Sequence, residues 1–158
     1  MRHLIRVVIL TFLMGLFPSS IALAGDAKPI RQDVSAPFQF TLENVCSFPV
    51  EITSLVNKEV LTIYSDGRRT VTGQLKVRLT NVTTGRSIDA NISGPVTFTP
   101  ISDGFTADFR GRSLIFPNGT NLLFISSGRT IMTVSPDLTV FTLLSVTGST
   151  FDVCAALA

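Results

Sequence analysis

The sequence predicts an all-β domain, an antiparallel meander of about eight to ten strands that closes or nearly closes into a β-barrel, with a two-sheet β-sandwich as the alternative. Three observations carry this expectation. Apolar and polar residues alternate through most of the chain after Pro49, and turn residues interrupt the alternation about every ten residues. Beyond the N-terminal segment no apolar repeat of helical period persists, apart from a last turn at 155–158. Turns this short join neighbouring strands, and closing the resulting meander removes both of its exposed edges.

Residues 1–24 have the layout of a secretory signal peptide. Arg2 and Arg6 precede the apolar run 7–17, Pro18-Ser19-Ser20 ends it, and Ala22-Leu23-Ala24 offers small residues for cleavage between Ala24 and Gly25. A retained membrane anchor is the alternative, but it needs roughly 20 apolar residues without interruption, so no stable span is expected after signal removal. No cysteine follows the run as a lipid attachment point. The remaining chain is expected to be secreted, either extracellular or associated with the cell envelope. Residues 25–37 are polar and carry Pro29 and Pro37, which predicts a flexible leader ahead of a single domain at 38–158.

Residues 38–43 alternate and are either an extended lead-in packed on the domain or a first edge strand. Residues 50–53 open one strand and 59–64 form the next, ending at Ser65-Asp66-Gly67, where glycine accepts the positive φ of a tight hairpin. The run 70–80 is the most regular: Val71, Gly73, Leu75, Val77 and Leu79 share one side, Thr72, Gln74, Lys76 and Arg78 the other. Gly73 in the apolar row marks a bend or bulge. After a turn at 81–86 come strands at 88–92, 96–99 and 105–112, separated by Gly94-Pro95 and Ser102-Asp103-Gly104. The pattern continues at 114–116, 122–125, 129–134 and 138–146, with Pro117-Asn118-Gly119, Ser127-Gly128 and Pro136-Asp137 between them. Gly85-Arg86-Ser87 and Gly128-Arg129-Thr130 read as one turn device used twice.

Cys46 and Cys154 are the only two cysteines. In an oxidising compartment, with no third thiol to compete, they are expected to form one disulfide, the alternative being two buried free thiols. The bond would fasten the closing seam of the barrel and requires Cα atoms within about 7 Å.

The single histidine, His3, lies in the signal segment, which removes Ser-His-Asp, Cys-His and imidazole–metal chemistry from the remaining chain. No metal and no cofactor is expected. Lys28, Lys58 and Lys76 stand in no motif that would activate a serine or threonine. Glu43, Glu51, Glu59, Asp89 and Asp108 fall at positions read as outward, where solvated charge is the ordinary explanation. Lys76 with Arg78, and Arg110 with Arg112, are weak candidates for an anion-binding patch against the plainer reading of a charged outer face. Arg2 and Arg6 supply two of the 13 basic residues, so the rest equal the 11 acidic ones. A neutral domain with interspersed signs is not expected to bind nucleic acid.

Phe12 and Phe17 aside, ten of the 12 phenylalanines remain, with one tyrosine and no tryptophan, a composition that disfavours a lectin. The phenylalanines either fill the interior or line an apolar pocket, and a filled core is the expected case. Asn81, Asn91 and Asn118 head N-x-Ser/Thr triplets that matter only in a host that glycosylates.

The stretches Cys46-Ser47-Phe48-Pro49-Val50, Thr80-Asn81-Val82-Thr83-Thr84-Gly85-Arg86-Ser87, Ser127-Gly128-Arg129 and Asp152-Val153-Cys154-Ala155-Ala156-Leu157 resemble a family of small secreted bacterial proteins, frequent in actinobacteria, to which no activity is assigned. The likeness spans about residues 36–158, and the family often has glycine where Ser47 stands. It implies export, the disulfide and the β meander, and supplies no catalytic residue.

The expected function is that of a secreted, non-enzymatic β-barrel domain binding an apolar small molecule or a cell-envelope partner. One alternative is an isomerase- or cyclase-like small-barrel enzyme that works by positioning. The other is a purely structural interaction module. A cavity of at least roughly 300 Å³, the lower end of usual ligand pockets, separates the two small-molecule readings from the third.

Overall fold

The computed structural model describes residues 28–158. The signal segment 1–24 and the cleavage point at Ala24 and Gly25 lie outside the described residues. Nine strands, β1 (Ile30–Asp33), β2 (Gln39–Leu42), β3 (Val50–Ile63), β4 (Arg69–Asn81), β5 (Ser87–Asn91), β6 (Val96–Ile101), β7 (Gly104–Ile115), β8 (Phe124–Val134) and β9 (Phe141–Asp152), precede one short helix, α1 (Val153–Leu157). All neighbours pair antiparallel in one sheet, in the order β1-β3-β4-β6-β7-β8-β9.

The long β3–β4 hairpin forks this sheet. β3 pairs with β4 from Val50↔Asn81 to Ile63↔Arg69, while its other edge carries β2 opposite Val50–Thr53 and β1 opposite Val60–Ile63. β4 likewise pairs with β6 at Arg69–Val71 and with β5 at Lys76–Thr80. The lobe made by β2, β5 and the adjoining ends of β3 and β4 lies against the far ends of β7 and β8. Its core holds Val50 and Ile52 of β3, Val77 and Leu79 of β4, Ala90 of β5, and Leu123 and Ile125 from the other side. Full burial of each of the larger aliphatic side chains is worth about 1.5–3 kcal/mol.

The expected strands at 50–53 and 59–64 are one strand. No glycine or proline occupies 54–58, and a bulge between Ser54 and Val56 absorbs Leu55 and reverses the alternation without ending the ladder. The expected flexible leader contains β1. Asn57 Nδ2 donates to Val34 O and Ala36 O, both at 3.0 Å, and Val34 N donates to Glu59 O at 3.1 Å, so the segment lies along the outer edge of β3. Of the two readings of 38–43, the edge strand is the one observed.

Gly128 is not in a turn. It sits inside β8, directly opposite Gly111 of β7 and Gly148 of β9. All three have positive φ, 75°, 155° and 101°, so three adjacent strands leave the extended conformation at one level. A Cβ at Gly128 would stand 2.1 Å from Thr147 O. Gly85-Arg86-Ser87 does close a turn, with Gly85 N donating to Asn81 O, so the two Gly-Arg steps are different devices.

Barrel closure is not made by hydrogen bonds: among the described residues no ladder joins β9 to the other end of the sheet. The physical reason is edge length. β1 and β2 are four residues each and occupy opposite ends of β3, so neither offers a full edge to the 12 residues of β9. The ends are joined by side chains instead. Cys46, in the β2–β3 connection, is bonded to Cys154 of α1, with Cα atoms 5.5 Å apart. Asp152 caps α1 by accepting from Ala155 N at 2.9 Å, and Val153 and Leu157 are fully buried. Asn81 Nδ2 donates to Leu157 O at 3.0 Å and Arg86 Nη1 to Ala158 O at 2.6 Å, which seats the C-terminus on the β4–β5 turn.

Two stability measurements check this account. Reduction, or the Cys46→Ser/Cys154→Ser pair, is expected to cost about 4–5 kcal/mol in urea unfolding, the loop-closure value for a loop near 100 residues. A loss below about 1 kcal/mol would show that the docked helix holds the seam without the bond. Gly128→Ala is expected to cost about 1–3 kcal/mol through strain and contact with Thr147 O, more than Gly85→Ala, where a Cβ meets nothing within 4 Å.

Candidate ligand cavity

The fully buried core is aliphatic, and no phenylalanine belongs to it. This corrects the expectation of a phenylalanine-filled interior. Four half-buried rings gather where the two layers separate, around a cavity of about 190 Å³, while Phe48, Phe105 and Phe124 lie elsewhere and Phe151 is exposed. The β2 side contributes Phe38 and Phe40, whose ring centroids are 5.8 Å apart. β3 and β4 contribute Ile52, Leu75 and Val77, and the β7 side contributes Phe109, Leu114 and Phe116.

Two polar side chains interrupt this apolar wall. Glu59 faces the cavity because the bulge at Leu55 turns the second half of β3 over, placing Glu59 on the side of Leu61 and opposite Gly73 of β4. Gly73 has φ 144°, and a Cβ there would stand 2.2 Å from Lys58 O. Its missing side chain lets β4 lie close beside Glu59 and leaves the carboxylate in apolar surroundings. Burial raises the Glu59 pKa above its ordinary value of 4.5, and no hydrogen bond or ion pair reaches the carboxylate among the described residues. Ser113 of β7 is 4% exposed, and its Oγ has no partner among the described residues. Glu59 was read from the sequence as a solvated outward charge. The signal against that reading was local: Glu59, Leu61 and Ile63 alternate on one side.

A second cavity of about 190 Å³ adjoins the first, walled by Phe98, Ile115, Met132 and Phe141. Phe109, Leu114 and Phe116 line both cavities and form the partition. Phe98 meets Phe109 edge-on at 6.5 Å, and Phe116 meets Phe141 at 6.0 Å, so the partition rings are supported from the second side.

The basic candidates do not form a focused patch. Arg78 on β4 is paired with Asp89 of β5 through Nε at 2.7 Å and Nη2 at 2.9 Å. Arg110 shares Asp108 with Arg129 of β8, at 3.0 Å and 2.9 Å. The Arg129 hydrogen bonds are the main reason the Asp108 carboxyl lies below its usual range. Lys76 stands opposite Val56 and Asn91, and Arg112 opposite Ser127, on stretches that no ladder joins. Asn81 is buried with its amide bonded to Leu157 O, Thr83 N and Thr84 N, so its side chain is occupied inside the fold. Asn91 bonds Ser93, and Asn118 is held between Thr139 O and Phe141 N. Among the described residues there is no group of three metal-ligating side chains, and no helix long and apolar enough to cross a membrane.

Comparison of the chain with protein-family models, with curated proteins and with solved structures finds no match.

The raised pKa of Glu59 has a stability consequence of definite sign. The unfolded chain ionises at lower pH than the folded one, so the folded state carries a penalty that grows as pH rises through the ordinary and then the raised pKa. The penalty is fully present above the raised value and relieved below about 4.5. Glu59→Gln is therefore expected to raise the urea midpoint at pH 7 and to leave it unchanged near pH 3. An equal effect at both pH values would show that packing, not charge, is responsible.

Proposed function

We propose that the protein is a secreted, non-enzymatic domain that holds a small apolar molecule inside a sheet wrapped as an incompletely closed barrel. One observation carries the reading: six of the phenylalanines line this cavity and its neighbour, while the fully buried core is built of aliphatic residues. The cavity falls short of the roughly 300 Å³ set above, which counts for the structural-module reading; the small-molecule reading stands on the narrower ground that about 190 Å³ exceeds the roughly 150 Å³ in which an apolar cavity takes up benzene. The ligand is accordingly bounded to a single ring or a short branched chain. The signal-like segment at 1–24 and the disulfide support export. The likeness to the secreted bacterial family points the same way.

Glu59 favours one second reading, an isomerase- or cyclase-like enzyme. A carboxylate with a raised pKa in an apolar cavity is suited to moving a proton at a bound substrate. Native mass spectrometry of protein isolated from its own host addresses both readings. A retained molecule released unchanged supports the binder, and one released as a product supports the enzyme.

The direct test uses toluene as the probe. Saturable binding is expected, with Leu75→Phe lowering affinity about tenfold, or 1.4 kcal/mol, by filling the cavity it lines. Val82→Phe, at an exposed position, is expected to leave affinity unchanged. Absence of saturable binding to the wild-type protein overturns the reading.

A further inference from the structure

We propose that the ligand of the cavity carries a primary amine on its apolar body, with the Glu59 carboxylate as its counter-ion. The proposal rests on the preceding reading that the cavity holds a small apolar molecule, and it names the chemical class of that molecule.

Three features of the wall select a cation. Among the described residues Glu59 is the only charged side chain lining the cavity, so none of their lysines or arginines competes there for its carboxylate. A carboxylate partly withdrawn from water without a partner is costly, and the chain supplies no partner among the described residues. The remaining wall is apolar and includes four aromatic rings, Phe38, Phe40, Phe109 and Phe116, and an electron-rich ring face attracts an ammonium group and repels an anion. Ser113 is the other polar side chain of the lining; its buried Oγ, unpaired among the described residues, can accept or donate and so does not by itself select a cation. An apolar cavity with few convergent polar groups is the usual composition of a small-molecule site. Here the charged one is the Glu59 carboxylate, an acceptor that complements a donor-rich cationic end.

The size of the cavity, about 190 Å³, suits benzylamine as the probe, with toluene, benzyl alcohol and benzoate as neighbours of similar shape. Calorimetric titration of the full chain at pH 7 is expected to rank them benzylamine, benzyl alcohol, toluene, benzoate, with benzylamine at least about tenfold tighter than toluene. Glu59→Gln is expected to abolish the benzylamine preference while toluene binds as before. Equal affinities for benzylamine and toluene, or a preference that survives Glu59→Gln, overturns the amine assignment and leaves the apolar cavity standing. Failure of toluene to bind the wild-type protein overturns the cavity reading, and failure of all four probes overturns the amine assignment with it. Toluene affinity of the variant reports whether its cavity is intact. Where that affinity is lost, the wild-type ranking decides alone, and toluene or benzoate at or above benzylamine overturns the assignment.

Discussion

Every other strand takes its position from the ladder between β3 and β4. Both strands are more than twice as long as β1, β2, β5 or β6, so each serves two neighbours along its outer edge. A hairpin of this kind cannot stay flat while the lobes on either side pack against one another. The bulge at Leu55 supplies the local change of twist on β3, and Gly73 permits β4 to follow closely beside Glu59. On the opposite side of the molecule, Gly111, Gly128 and Gly148 bend three strands at one level. The sheet therefore folds over itself by local backbone devices, without the uniform tilt that a closed barrel demands.

The cavity is a consequence of this folding. Where the layers meet, aliphatic side chains interlock, and the seam is completed by α1 and the disulfide. Where they diverge, phenylalanines bridge the gap but leave it partly open. The bulge that turns β3 over also carries Glu59 inward. The same backbone irregularity thus shapes the fold and places the one charge in the cavity wall, which ties the candidate site to the architecture rather than to a motif.

Much of the strand pattern was legible because alternation and turn chemistry are local. The hairpin turn at Asp66-Gly67, the strand running through Val71, Leu75, Val77 and Leu79, and the break at Gly94-Pro95 need no distant partner to be recognised. The disulfide was legible for a different reason: with two cysteines there is only one intramolecular pairing. Gly128 was misread because its role depends on neighbours distant in sequence, and Glu59 because its local alternation with Leu61 and Ile63 was outweighed by the ordinary expectation of a solvated carboxylate. Gly128 resembles a turn glycine until Gly111 and Gly148 are seen beside it, and the register shift at Leu55 is what turns the Glu59 side of β3 toward the cavity. Residues 30–33 carry no strand alternation of their own and become a strand because the outer edge of β3 accepts them.

By itself the sequence determined an all-β antiparallel chain, the bond between Cys46 and Cys154, and the absence of histidine chemistry after residue 3. Each follows from composition or from interactions between near neighbours. Tertiary structure alone decided that the sheet stays open, that six of the phenylalanines line cavities beside an aliphatic core, and that one glutamate faces a cavity. These depend on the relative lengths of strands and on a single-residue bulge. Because side chains alternate with a period of two, that one extra residue changes which face every later residue of the strand presents.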